Sequence, residues 1–321
     1  MIIVSEECVR SILTEEDGYG AVEAVFAAMA RGDAYNFPVI REAIGHADAL
    51  YGFKSGFDRA GLSLGLKSGG YWPGNAEKGI PNHQSTVFLF DPDTGRLSAT
   101  VGGNYLTAIR TAASSAVSIR HLARADSRVL GMVGAGHQSH FQVRAAAKQG
   151  NFENVVAWNR HPEMLDDLEK TVTGLGLKFE RVEPEQLAAR ADVIITITSC
   201  HEPLLMKEWI RPGTHLACMG TDTKGKMEVD PNLFASAAVF TDEVAQSVTI
   251  GEAQHAVESG LLAEAAITPI GDVINGVQAG RVSDDQITLF DGTGVGLQDL
   301  AVASAVAKKA EEQGLAQTAS L

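Results

Sequence analysis

A few side chains in this sequence have a type and a setting suited to acid–base or anion chemistry. Lys67 closes the run Leu62 to Lys67 and opens a glycine-rich turn, GGYWPGN. A lysine withdrawn from water has a lowered pKa and can donate a proton or grip a carboxylate; the plainer reading is a solvated lysine at a strand edge. Arg110 stands in a helical stretch of small residues, Thr107, Ala108, Thr111 and Ala112. There a guanidinium can bind a carboxylate through two parallel hydrogen bonds or form an ordinary surface ion pair. Asp222, in MGTDTKGK just after an apolar strand, can serve as general acid or base toward an amine, or merely close an Asx turn. His83 can hydrogen-bond a substrate or be a satisfied core histidine.

A second constellation has the grammar of a dinucleotide site. In RVLGMVGAGHQSHFQVR, residues 128–144, the apolar run Val129 to Val133 passes through Gly134-Ala135-Gly136-His137-Gln138-Ser139 into a helical pattern. Gly134 allows a tight turn and Gly136 leaves room for a pyrophosphate, while the helix N-terminus offers N–H groups and a positive dipole end. Ser139 takes the third, small position. Such a turn is also common without any nucleotide, so context matters. About 20 residues on, where the fingerprint places its ribose-facing group, the strand Val155 to Trp158 ends in Asn159-Arg160. Asn159 can bond ribose hydroxyls but the usual carboxylate is missing, and Arg160 can pair with a 2′-phosphate or stack on adenine. NAD(H) and NADP(H) therefore both stay open on the residues alone.

Elements that must position these groups follow from the pattern. Residues 1 to about 31 read as a short strand, then Thr14 to Asp17, an acidic start suited to a helix N-terminus, and a helix from Ala21 to Ala30. The stretch 35–60 reads as irregular strands, Leu62 to Lys67 and His83 to Phe90 as strands, and Asp91 to Gly95 as a turn. In Leu62 to Lys67 the alternating leucines would take one face and Lys67 the opposite face or the strand end. A helix over 107–123 leads into Val129 to Val133. Strands at Val155 to Trp158, Lys178 to Val182, Val193 to Thr198 and His215 to Met219 then alternate with helices at 162–173 and 184–190, the signature of a doubly wound parallel sheet. Ile287 to Phe290, the loop Asp291 to Gly296 and a helix through Ala307 follow; this second glycine-rich loop reads as backbone that closes over a cofactor. The last residues are expected to fray. Hence the expected fold is α/β: a Rossmann domain, 116–304, and a mixed α+β substrate and dimerisation domain, 1–115 with 305–321.

Bulk properties narrow the function. With 321 residues, 45% hydrophobic and 21% charged, the chain is an ordinary globular protein long enough for two domains. A net charge of −14 argues against nucleic acid or an anionic membrane surface as partner, so an anionic ligand needs a local cluster of cations. Cys8, Cys200 and Cys218 match no metal or disulfide spacing and suit a reducing cytoplasm. The start, MIIVSEECVR, fits neither a signal nor a transit peptide, and no apolar run approaches a membrane span. His137 and His140 share one helix start but have no third ligand in view, so no metal is expected.

Five motifs in order, GLKSGGYWPGN, LTAIRTAA, GAGHQS, MGTDTKGK and LFDGTGVGLQDLAVA, make the chain resemble the ornithine cyclodeaminase/mu-crystallin family over almost its whole length. The resemblance implies a Rossmann domain, a substrate and dimerisation domain, a homodimer, and a nicotinamide cofactor used to interconvert amino and imino acids. It places the substrate lysine on Lys67, the carboxylate-binding arginine on Arg110, the catalytic aspartate on Asp222, and a second substrate arginine near Arg41. It also implies cofactor contacts at Arg110, Thr111, 134–139, Asn159, Arg160, Thr198, Ser199, Met219, Gly220, Asp222, Gly292 and Gly294. Within the family, YNFPVIREAIGHADALYGFKSGFD and NHQSTVFLFDPDTGR resemble NADH-dependent reductases of a dicarboxylic imino acid more than true cyclodeaminases. The residues support this in part: a diacid needs two anion sites, and Arg41, Lys54, Lys67, His83 and Arg110 exceed what an α-amino monocarboxylate requires. The rivals are an ornithine cyclodeaminase, an alanine dehydrogenase-like enzyme, and a non-catalytic mu-crystallin-like protein that holds NADP and a small ligand.

Overall fold

The computed structural model describes residues 1–320. In chain order it begins with β1 (Ile2–Val4), α1 (Glu6–Ile12), α2 (Glu15–Ala30), β2 (Ala34–Asn36), β3 (Ile40–Ala43), β4 (Leu50–Asp58), β5 (Ser63–Tyr71), β6 (His83–Phe90), β7 (Leu97–Gly102) and α3 (Asn104–Leu122). Next come β8 (Val129–Val133), α4 (His137–Ala147), β9 (Asn154–Trp158), α5 (Leu165–Gly174), β10 (Lys178–Arg181), α6 (Pro184–Arg190), β11 (Val193–Thr196), β12 (His201–Leu205), β13 (His215–Cys218) and β14 (Met227–Val229). The chain closes with β15 (Ala238–Thr241), α7 (Val244–Ser247), α8 (Gln254–Glu258), β16 (Thr268–Pro269), α9 (Ile270–Ile274), β17 (Thr288–Asp291), α10 (Gly296–Glu312) and β18 (Gln317–Thr318).

Two compact units divide it, Met1–Arg110 with Val295–Leu321, and Thr111–Gly294. Here α10 belongs wholly to the first unit, whereas the sequence puts a boundary inside it at 304; Val302, Ala303 and Val306 are buried in that unit's core, so the helix does not divide.

The first unit is a mixed sheet of order β18-β1-β7-β6-β5-β4-β2, with β3 also on β4. Its β1 runs parallel to β7, and β4, β5, β6 and β7 are antiparallel. The α2 helix starts at Glu15, in the acidic stretch suited to a helix N-terminus, where Thr14 and Asp17 form a reciprocal capping box that satisfies two N-terminal donors. Through Thr318 the tail does not fray: Ile2 and Ile3 pair with Thr318 and Gln317, so terminal backbone groups bond to each other; Leu321 lies outside the described residues.

Lys67 takes the face opposite Leu64 and Leu66, as the alternation predicts. Along β5 the buried positions are Ser63, Gly65 and Lys67, and Leu64 and Leu66 lie on the other, half-exposed face. The reason is α10. Cβ atoms at Gly56 and Gly65 would lie only 3.0 Å from Leu297 and Leu300 of that helix, so glycine on this face lets the helix pack close. The alternation leaves open which of the two faces is buried, and shape complementarity to a helix decides it.

The second unit is a parallel sheet of order β10-β9-β8-β11-β13-β17-β15-β16, doubly wound as expected. Two of its strands, β15 and β16, are not evident from pattern, being short and flanked by single turns of helix. Its core includes Val133, Val156, Leu187, Ile194, Leu216, Phe234 and Leu289, and each such side chain contributes roughly 1.5–3 kcal/mol by leaving water.

Candidate functional site

In the first unit, strand register gathers the cations. Lys54 stands directly opposite Lys67, Gly52 opposite Gly69, and Arg41 opposite Gly52. Tyr71, two pleats from Lys67, pairs with His83. Because alternate residues share a face, Arg41, Lys54, Lys67 and His83 all belong to the face that α10 covers. Arg110 arrives from α3, whose first backbone amides, Asn104 N and Tyr105 N, donate to the Glu6 carboxylate at 3.1 and 2.8 Å. Ile109 next to it seats against Gly18 of α2, where a Cβ would clash, so the helix is fixed at this point.

A carboxylate absent from the expected set organises the group. Asp299, fully buried on α10, takes Lys67 Nζ on Oδ2 at 2.8 Å and Arg110 Nε on Oδ1 at 2.9 Å. Gln298 Oε1 accepts from Arg110 Nη1 at 3.1 Å, and Lys67 Nζ also donates to Thr107 Oγ1 at 3.4 Å. Lys67 is 6% and Arg110 7% exposed, so neither is the solvated surface group of the plainer readings. Burial, then the charges of Arg110 and Lys54, bring Lys67 down to about 7 against the pull of Asp299. Burial tends to raise Asp299, but Arg110 and Lys67 outweigh it and the carboxyl lies below its usual value. His83 falls to about 3 through burial and the charges of Lys67 and Arg110, which makes it a neutral imidazole. Gln298 and Asp299 escaped sequence reasoning because a first-turn carboxylate on a helix reads as a complement to the dipole.

In the second unit the chain winds outward from β8 to β9 and β10, then returns to β11 and β13 on the other side. Gly134 therefore ends β8 at the switch point where open α/β sheets bind ligands. It has φ +107°, and a Cβ there would stand 2.8 Å from Ile197 O. By contrast, a Cβ at Gly136 would meet nothing within 4 Å. No side chain caps the N-terminus of α4, and Gln138 Oε1, buried at that turn, has no hydrogen-bond partner. Open space and uncapped amides fit a dinucleotide pyrophosphate.

Asn159 serves the turn itself: its Oδ1 accepts from Ala135 N at 3.1 Å and its Nδ2 donates to His161 O at 2.9 Å. Arg160 is exposed, 3.9 Å from Cys200 Sγ, which brings it to the loop carrying Thr198 and exposed Ser199. Thr111 is buried on α3. Met219 lies against Gly292, where a Cβ would stand 2.5 Å from its sulfur. In the second glycine-rich loop Thr293 N and Gly294 N donate to Asp242 at 3.1 and 2.8 Å, so a protein carboxylate occupies donors a phosphate would need. His137 packs on Phe141, and His140 bonds Thr171 Oγ1 at 2.8 Å.

Asp222 occupies the loop after β13. Its Oδ1 is 2.8 Å from Lys226 Nζ and 3.1 Å from Thr223 Oγ1. Two glutamates that the sequence did not single out, Glu228 and Glu252, are buried beneath this loop.

A parallel doubly wound sheet with a glycine turn at its switch point, joined in one chain to a mixed sheet bearing buried cations, defines a two-domain Rossmann-type protein. The chain belongs to the ornithine cyclodeaminase/mu-crystallin family, which matches residues 2–314. It is 61% identical over 317 residues to iminosuccinate reductase of Paracoccus denitrificans (strain Pd 1222), covering 99% of each chain. The crystal structure of the P. denitrificans iminosuccinate reductase in complex with NAD+ matches with a TM-score of 0.96 at 60% identity, over 100% of this chain and 99% of that one. An archaeal alanine dehydrogenase dimer with bound NAD is 30% identical, with a TM-score of 0.93 over 100% and 99% of the two chains. Among the described residues no helix is long and apolar enough to cross a membrane.

Proposed function

We propose that this chain is an NADH-dependent imine reductase that converts iminosuccinate to L-aspartate. The observation that carries the reading is the opposed pair Lys54 and Lys67 on a face that also bears Arg41 and takes Arg110. Asp299 already joins Lys67 and Arg110, and a face that gathers further cations beyond that pair suits the two carboxylates of a dicarboxylate. Similarity to the P. denitrificans enzyme supports the same substrate and NAD(H) over NADP(H).

Arg110 and Lys67 hold the α-carboxylate; Arg41 and Lys54, with the neutral His83, hold the second. The residues of the glycine turn, Gly134 to Ser139, take the pyrophosphate, with Asn159 fixing the turn. Reduced nicotinamide supplies the hydride for the imine carbon when bound. Lys67 or Asp222 donates a proton to the imine nitrogen, so that positive charge on the C=N group is favoured; the reduced product is then the neutral amine, which takes its second proton from water. A Lys67 pKa near 7 suits a group that both carries charge to bind an anion and gives up a proton.

The functional unit is a homodimer in the cytoplasm, built on the face of the first sheet away from α10. Phe53, Phe57, Leu64, Leu66, Phe88 and Phe90 alternate onto that face and are half-buried, with Ile40 53% exposed. A second copy is the occupant supported by the dimeric alanine dehydrogenase relative.

The deciding assay is NADH oxidation with oxaloacetate plus ammonia against pyruvate plus ammonia. Faster turnover with oxaloacetate is expected. Preference for pyruvate would make this an alanine dehydrogenase-like enzyme, and proline formation from ornithine without net NADH change would make it a cyclodeaminase.

A further inference from the structure

Loop 220–226, which carries Asp222, hangs from three buried side chains. Glu228, on β14, is fully buried and accepts four hydrogen bonds. Its Oε1 takes Thr198 N at 2.6 Å and Thr198 Oγ1 at 2.7 Å; its Oε2 takes Thr196 Oγ1 at 2.6 Å and Gly220 N at 2.9 Å. One carboxylate thus ties the end of β11 to the first residue of the loop after β13. Gly220 must be glycine for this, since a Cβ there would lie 2.5 Å from Glu228 Oε1. Glu252 continues the support: it accepts from Thr221 Oγ1, and from Glu228 N and Val229 N at 2.7 and 2.8 Å. Gln254 Oε1 accepts from Gly225 N at 2.8 Å at the far end of the loop.

We infer that Glu228 is a positioning residue for the reaction: it acts through Asp222, by fixing the loop two residues before that carboxylate. The inference rests on the reading of Asp222 as a catalytic group. The geometry makes a specific demand. Every partner of Glu228 is a donor, and each arm meets one backbone N–H, Thr198 N or Gly220 N, that cannot reverse its polarity. An amide in place of the carboxylate must set an NH2 against one of them, so even the isosteric change disturbs the loop.

The test is a double-mutant cycle between Glu228→Gln and Asp222→Asn, read as kcat, NADH Kd by fluorescence and thermal midpoint. Glu228→Gln is expected to lower kcat on the wild-type background by about 10-fold or more, and to change it less than about 2-fold on the Asp222→Asn background, because the two share one route. NADH Kd should rise by less than about 3-fold, since uniform loss of binding is not what a displaced acid causes. Equal losses on both backgrounds, a retained kcat, or an NADH affinity lost in step with kcat would each overturn the inference. If Asp222→Asn itself turns over normally, the reading of Asp222 falls instead. Should Glu228→Gln fail to fold, Thr196→Val removes one of the four donors from a buried site while keeping its shape. It should give a smaller kcat loss with the same dependence on Asp222, and additivity there would count against the role.

Discussion

Lys54 and Lys67 face each other across β4 and β5, on the side of the first sheet that α10 covers. Like charges directly opposite cost up to about 1 kcal/mol in a sheet, and the Lys54 charge helps lower the pKa of Lys67. Lys54→Met should therefore raise the pKa of Lys67 toward its ordinary value. It should also raise KM for iminosuccinate by roughly 10-fold or more, the loss of one charge-assisted contact. An unchanged KM would remove Lys54 from the site.

Lys67 makes the pH dependence specific. Its folded value is about 7 against an ordinary 10.5, so between those limits the unfolded chain binds more protons, and this group adds stability as pH rises. Anion binding runs the other way, because it needs the proton. The kcat/KM for iminosuccinate should fall as pH rises through about 7, and Lys67→Arg, which stays charged, should abolish that limb. Asp299→Asn removes the neighbour that favours the charged lysine and should move the limb to lower pH. His83, neutral above about 3, should contribute no limb near 6.5.

Gly136→Ala separates folding from cofactor binding. The added methyl meets nothing within 4 Å, and φ −76° with ψ −174° is open to alanine. Stability should stay within about 0.5 kcal/mol of the wild type. NADH Kd, measured by fluorescence titration, should rise about 10-fold or more as the methyl fills the pyrophosphate's approach. Unchanged affinity would move the nucleotide elsewhere.

Phe88→Asp puts a charge on the apolar outer face of the first sheet, where Phe88 stands opposite Leu66 and Thr100. A folded monomer by light scattering is expected, with circular dichroism like the wild type. A persisting dimer would place the interface on another surface.

Pattern and local chemistry in the sequence determined the doubly wound sheet, because strand–helix alternation and a glycine turn are properties of short stretches. They also marked Lys67, Arg110 and Asp222 as candidates for chemistry. Only tertiary structure turned Lys67 inward, since the alternation sets it opposite the leucines without saying which face is buried, and the close approach of α10 to Gly56 and Gly65 decides that. Asp299 lies 232 residues from Lys67 and 189 from Arg110, so its role as their shared counter-charge exists only once β5, α3 and α10 are packed together. The same holds for Glu228, an unremarkable acid in a short strand until burial leaves it facing four donors. Covalent neighbours fix turns and helices, but a charge buried far along the chain acquires its partners, and with them its function, from packing.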